Sequence, residues 1–234
     1  MKRYGTWIGW CAVLATLPTL AAAEISGKVT LKGTPPPERK VAFDALCGKL
    51  HTKDAFTRHY VVGPDSGLAN VFVYLKEGPP GKTYPIPEKM PVLDQVHCFY
   101  EPYVMGVLVD QKFQIKNSDP LMHNVHATPK VEGNKEFNVG QPVQGMVTER
   151  SFSKPEVLVR FKCDVHPWMF AYVGVLPHHY FAVTDNEGKF KFPADLPAGK
   201  YTVVAYHLKA GEVTQDITVA EGDKKELAFT LEAK

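Results

Sequence analysis

The chain has 234 residues, 44% of them hydrophobic and 22% charged, with 27 Lys and Arg set against 25 Asp and Glu for a formal net charge of +2. No basic tract suits a nucleic acid and no acidic tail marks a disordered segment, so both of those classes are set aside. Gly (18) and Pro (19) are plentiful and scattered, which predicts many short strands joined by turns, in one large or two small domains.

The first residues, MKRYGTWIGWCAVLATLPTLAAAEIS, read as a secretory signal: basic Lys2 and Arg3, an apolar stretch from Trp7 to Leu20, then a small-residue cleavage site at Ala21-Ala22-Ala23. The apolar stretch falls short of the roughly 20 residues that span a bilayer, and bulky Trp10 argues against lipid attachment at Cys11. The expectation is cleavage after Ala23 and export, most simply to a bacterial periplasm. Removing residues 1–23 leaves 25 basic and 25 acidic residues and three cysteines, Cys47, Cys98 and Cys163. An odd number in an oxidising compartment leaves a thiol over. Cys47 and Cys98 lie in polar, loop-like surroundings and are paired here as a disulfide, worth roughly 4 kcal/mol in the chain-entropy description. Cys163 is then the odd one out.

Helical periodicity is lacking. Alternating or apolar runs predict strands at 25–31 (ISGKVTL), 68–75 (LANVFVYL), 105–111 (MGVLVDQ), 113–117 (FQIKN), 157–163 (VLVRFKC) and 171–176 (AYVGVL). The stretch 78–91 (GPPGKTYPIPEKMP) holds too many prolines for a central strand and is read as an external loop. From Phe181 the pattern is more regular. FAVTDNEGKFKF predicts a hairpin turning at Asn186 to Gly188, with Phe190 and Phe192 on one face. LPAGKYTVVAYH, VTQDITV and ELAFTLE follow, divided by turns at Ala198-Gly199 and at 220–223. The fold expected is all-β: two sandwich modules joined near Pro177 to Tyr180.

Residues 163–169, CDVHPWM, carry the chemistry. Val157, Val159, Phe161 and Cys163 alternate and should share an inward face. The strand starting near Ala171 must return beside them, so the short loop brings His166 and Met169 back toward the sulfur. A thiolate, an imidazole, a weak thioether and one further histidine make the ligand set of an electron-transfer copper site. A structural zinc site rarely uses thioether. The further histidine should come from NSDPLMHNVH (117–126). If 122–127 is extended, His123 shares a face with Val125 and His126 points the other way, so His123 is preferred.

NSDPLMHNVH followed by FKCDVHPWMFAYVGV resembles the cupredoxins, the type 1 blue copper domains. The short Cys-x-x-His-x-x-Met loop with Pro167 after its histidine, together with His-Asn-Val-His, most resembles the amicyanin branch. The resemblance covers residues 92–176. It implies a Greek-key β-sandwich with one type 1 copper, held equatorially by His123, Cys163 and His166 and axially by Met169, with Asn124 tying the two ligand loops together. The C-terminal pattern, TDNEGKFKF with LPAGKYTVVAYH, resembles the transthyretin-like or carboxypeptidase-regulatory-like sandwich, a module that commonly serves stability or binding. The division expected is a signal over 1–23, N-terminal strands and a Pro-rich loop belonging to or packed on the cupredoxin over 24–91, the copper core over 92–176 and the second sandwich over 177–234.

The function implied is one-electron transfer with a periplasmic redox protein such as a c-type cytochrome or a dehydrogenase. The alternative is a non-redox copper-handling or scaffold module. No Ser-His-Asp set, phosphate-binding glycine loop or paired carboxylates suggest an enzyme. Trp168 and Phe170 either pack ordinarily or form an apolar surface at the His166 edge where a partner docks. His51, His59, His97, His178, His179 and His207 are read as surface or packing residues.

Overall fold

Strands form where apolar residues alternate between turn signals, and a computed structural model describes them for residues 23–234 together with Met1. The export signal expected over 1–23 lies, but for its two ends, outside the described residues. Among the described residues no helix is long and apolar enough to cross a membrane. In chain order the strands are β1 (Glu24–Lys32), β2 (Phe72–Leu75), β3 (Val92–Val96), β4 (Phe99–Glu101), β5 (Val104–Leu108), β6 (Phe113–Asn117), β7 (His123–Thr128) and β8 (Phe137–Gln141). They continue as β9 (Val147–Arg150), β10 (Glu156–Lys162), β11 (Phe170–Leu176), β12 (Phe181–Val183), β13 (Lys189–Lys191), β14 (Gly199–His207), β15 (Gly211–Val219) and β16 (Lys224–Glu232).

Two facing sheets build the first module, ordered β5-β11-β10-β7-β8 and β4-β3-β6-β9. Between them lie Leu93, Val107, Phe113, Ile115, Val125, Phe152, Val159 and Phe161, contiguous with Cys163 and Met169. All of these strands fall within 92–176. The second module stacks β13-β1-β16 on β12-β2-β14-β15 around Ile25, Val29, Val73, Leu75, Phe190, Phe192, Val203, Phe229 and Leu231. The described residues are therefore nearly all β, a cupredoxin-like sandwich with a second β-sandwich beside it.

Three expectations need correction. Residues 24–91 give no strand to the first module. β1 runs parallel to β16 along its whole length and β2 pairs with β12 and β14, because the apolar faces of ISGKVTL and FVYL match the long C-terminal strands. The excursion between β1 and β2 packs on the first module, where its short 3-10 turn at Cys47–Leu50 is joined to the β3–β4 turn by the Cys47–Cys98 disulfide. Secondly, FAVTDNEGKFKF turns as predicted, with Gly188 at φ +78°, but it is not a hairpin: β12 pairs with β2 and β13 with β1, so the turn carries the chain from one sheet to the other. Thirdly, Val157 does not share the inward face of Val159, Phe161 and Cys163. A β-bulge between Glu156 and Val159, with Leu158 at φ +58°, shifts the register by one residue and leaves Val157 37% exposed.

Candidate metal centre

The heptapeptide is the loop between β10 and β11, which pair from Lys162 and Phe170 backward. Its ends are tied where Cys163 N–H donates to the Met169 carbonyl at 3.2 Å, and Met169 N–H donates to the His166 carbonyl at 3.0 Å. The neighbouring strand β7, in register with β10 through Lys162 and His126, begins at His123. His123, Cys163, His166 and Met169 are 0%, 2%, 2% and 0% exposed. His126 takes the outward face, with Nδ1 2.8 Å from Asp164 and Nε2 2.7 Å from Glu136.

Side-chain atoms of His123, Cys163 and His166 form one cluster able to hold a metal. The two Nδ1 atoms are 2.9 Å apart, and His166 Nδ1 is 3.6 Å from Cys163 Sγ. Nitrogen and sulfur atoms bound at about 2.0–2.3 Å to a common ion stand roughly 3–4 Å from one another, so this spacing fits one. Carboxylates fix the tautomers. His123 Nε2 is 2.8 Å from Asp119 Oδ2 and His166 Nε2 is 3.2 Å from Asp44 Oδ2. With His123 Nε2–H donated to Asp119 and His166 Nε2 facing the Asp44 carboxylate, both neutral rings turn an Nδ1 lone pair inward.

Asn124 N–H donates to Cys163 Sγ at 3.5 Å. The Asn124 side-chain oxygen accepts Asp164 N–H, and its amide donates to Asn138; this side chain joins β7, β8 and the loop. Tyr100, fully buried on β4, donates its hydroxyl to the Asn124 carbonyl at 2.6 Å and lies 3.2 Å from the Lys162 carbonyl. Pro167 and Trp168 shape the return of the loop, Trp168 Nε1–H donating to the Cys98 carbonyl at 3.0 Å.

The electrostatics favour an ionised sulfur. Burial pushes the Cys163 thiol up, but the neighbouring His123 and His166 imidazoles and the Asn124 amide pull it down to about 6. Burial likewise pushes the Asp119 carboxyl up, and the His123 bond with the Cys98 and His97 amides outweighs it, holding it below the usual carboxylate range. Burial alone would lower His123, yet Asp119 and Cys163 raise it. Cys163 is the free thiol among the described residues, while Cys47 and Cys98 form a disulfide with Cα atoms 5.9 Å apart.

The outer edge of His166 is covered. Phe43 stands edge-on to Trp168 at 5.4 Å, and Asp44 faces the outer imidazole nitrogen. Trp168 and Phe170 are half-buried along a groove with Pro167, Phe99 and Tyr103. Of the remaining histidines, His178 and His207 are buried, and His51 stacks on Phe43 at 4.1 Å. Sequence reasoning missed Asp44, Tyr100 and Asp119 as parts of the site. Asp119 carried a signal only as a turn residue ahead of His123, and Asp44 carried none.

No family model and no curated protein matches the chain. Solved structures do. The Cu-containing nitrite reductase from Thermus scotoductus SA-01 is 18% identical over 42% of this chain and 25% of that one, with a TM-score of 0.34. A purple cupredoxin from Nitrosopumilus maritimus is 28% identical over 33% of this chain and 81% of that one, with a TM-score of 0.28. An oxidized amicyanin variant is 20% identical over 44% of this chain and 97% of that one, with a TM-score of 0.33. These neighbours are cupredoxins, each over less than half of this chain, and the first match spans a quarter of the nitrite reductase.

Proposed function

We propose that this chain is an exported type 1 copper protein carrying single electrons between periplasmic redox proteins, such as a c-type cytochrome and a dehydrogenase. His123, Cys163 and His166 are its equatorial ligands and Met169 its axial one. The observation that carries this reading is the convergence of two imidazole lone pairs and an easily ionised sulfur on one buried point. A metal bound there would supply a Cu(II)/Cu(I) couple, and thiolate with imidazole suits both oxidation states of copper. The protein's own part is rigidity. Asp119 holds His123, the Asn124 amide holds the sulfur, and the Cys163–Met169 backbone bond holds the loop closed, so the donors move little when charge changes. All four side chains are buried, which limits the access of a substrate and supports a carrier over an enzyme.

Adding Cu(II) to the metal-free protein should give an intense visible band from thiolate-to-copper charge transfer. Cys163→Ser should abolish that band and leave the far-UV circular dichroism unchanged. A colourless wild-type protein would overturn the reading. The cover that Phe43 and Asp44 place over His166 favours a second reading, a non-redox copper-handling module. Tight Cu(I) binding without a reversible one-electron wave in voltammetry would support that reading instead.

A further inference from the structure

The carboxylates behind the two histidines stand on opposite sides of one disulfide. On the Cys98 side, the β3–β4 hairpin turns through His97 and Cys98 with φ of 51° and 55°, a two-residue turn normally reserved for Asn and Gly. Asp119 stabilises it by accepting His97 N–H on Oδ1 and Cys98 N–H on Oδ2, both at 2.7 Å. The same Oδ2 accepts from His123. On the Cys47 side, Asp44 Oδ1 accepts the N–H groups of Leu46 at 2.9 Å and Cys47 at 2.8 Å. That leaves Asp44 Oδ2 aimed at His166 Nε2. Each half-cystine thus presents its amide to the carboxylate that holds one histidine.

Asp44 has no strand to hold it there. Its segment makes an isolated bridge, Lys40 to Phe56, and is tied to the first module by the buried disulfide, by Phe43 against Trp168 and Phe99, by His51 Nε2 at 2.8 Å from the His97 carbonyl and, further along the chain, by Arg58 donating to the Tyr100 carbonyl at 3.0 Å. We propose that Asp44 is a positioning residue for the metal centre, fixing the tautomer and tilt of His166, and that the Cys47–Cys98 disulfide is the clamp that keeps it there. The inference rests on the copper reading of the site. Its consequence is chemical. A carboxylate behind an imidazole raises the basicity of the ligating nitrogen, which favours the more highly charged Cu(II) over Cu(I).

The test uses Asp44→Ala, Asp44→Asn and the Cys47→Ser/Cys98→Ser pair in the full chain, with Cu(II) as probe. Groups placed like this typically change metal affinity by about tenfold or more. Asp44→Ala should therefore bind Cu(II) roughly tenfold more weakly with Cu(I) affinity unchanged, a rise of about 59 mV in the one-electron potential. Asp44→Asn keeps an acceptor oxygen and loses the charge, so it should recover part of the Cu(II) affinity and show a correspondingly smaller rise in potential. The serine pair should behave as Asp44→Ala does. In the metal-free proteins, imidazole nitrogen NMR should show His166 as the Nε2–H tautomer with a slowly exchanging proton, lost in Asp44→Ala and retained in Asp44→Asn. That measurement decides the positioning role even if the wild type takes up no copper, an outcome that would sink the copper reading alone. Wild-type affinity, potential and imidazole signals in Asp44→Ala would overturn the proposal.

Discussion

Tyr100 shows how a residue that touches no ligand atom can still set the site. Its hydroxyl lies between the carbonyls of Asn124, beside His123, and Lys162, beside Cys163, so it braces the strands that bring the donors together. Burial drives the phenol's pKa far above its usual value, so it stays a neutral donor at any working pH. Tyr100→Phe keeps the ring and removes the donor, which should cost about 1–2 kcal/mol. The measurement is urea unfolding, where the midpoint should fall at an unchanged slope, and an unchanged midpoint would show that the hydroxyl braces nothing. The meeting of His123, Cys163 and His166 could be read from the sequence because strand period and loop length are local properties. Tyr100, Asp44 and Asp119 act on partners brought near only by tertiary folding, and nothing in their own neighbourhoods announces it.

Elements were legible where alternation is strict and illegible where a single residue breaks it. β6, β15 and β16 follow their apolar patterns, whereas the bulge at Leu158 could not be foreseen from the unbroken VLVRF. The β14–β15 turn hides a further device. His207, 2% exposed, closes β14 and accepts the N–H groups of Ala210 at 3.2 Å and Lys209 at 3.4 Å on Nδ1, its ring tilted against Tyr60 at 5.3 Å. Burial pushes its pKa down to about 4, with Lys209 lowering it further and Glu38 opposing. The folded chain thus binds fewer protons than the unfolded one below the ordinary histidine value of about 6.5. The turn's stability is whole above that value and is lost as pH falls toward 4, on the order of 2 kcal/mol by pH 4.5. His207→Asn, which keeps an acceptor near the turn, should narrow the difference in unfolding free energy between pH 7 and pH 4.5. Parallel pH profiles for wild type and variant would refute this role.

At the scale of the whole molecule, the sequence marks where the first module ends but not which chain segments complete the second. β1 finds β16 across nearly the whole chain, and no local pattern names a partner so distant. The modules meet through Phe72, Tyr74, Val104, Leu158, Leu176 and Val204. Two glycines make the fit. Gly106 on β5 and Gly174 on β11 stand in register, a bare patch in the five-stranded sheet that seats the Phe181 and Phe72 rings, themselves 5.6 Å apart. A Cβ at Gly174 would lie 2.3 Å from Phe72 Cζ, and one at Gly106 2.3 Å from Phe181 Cε2. Phe72 is fully buried, so its ring cannot swing aside without parting the modules. Gly174→Ala should cost about 1–3 kcal/mol of overpacking, concentrated at the interface. Scanning calorimetry should then show the joint unfolding of the wild type split into two transitions, the second module melting first because it loses its packed face. Adding Phe72→Leu to Gly174→Ala opens room for the methyl group, so the double variant should be more stable than the sum of the single losses. A Gly174→Ala protein that unfolds in one transition at the wild-type temperature would mean that the rings are not what couples the sandwiches.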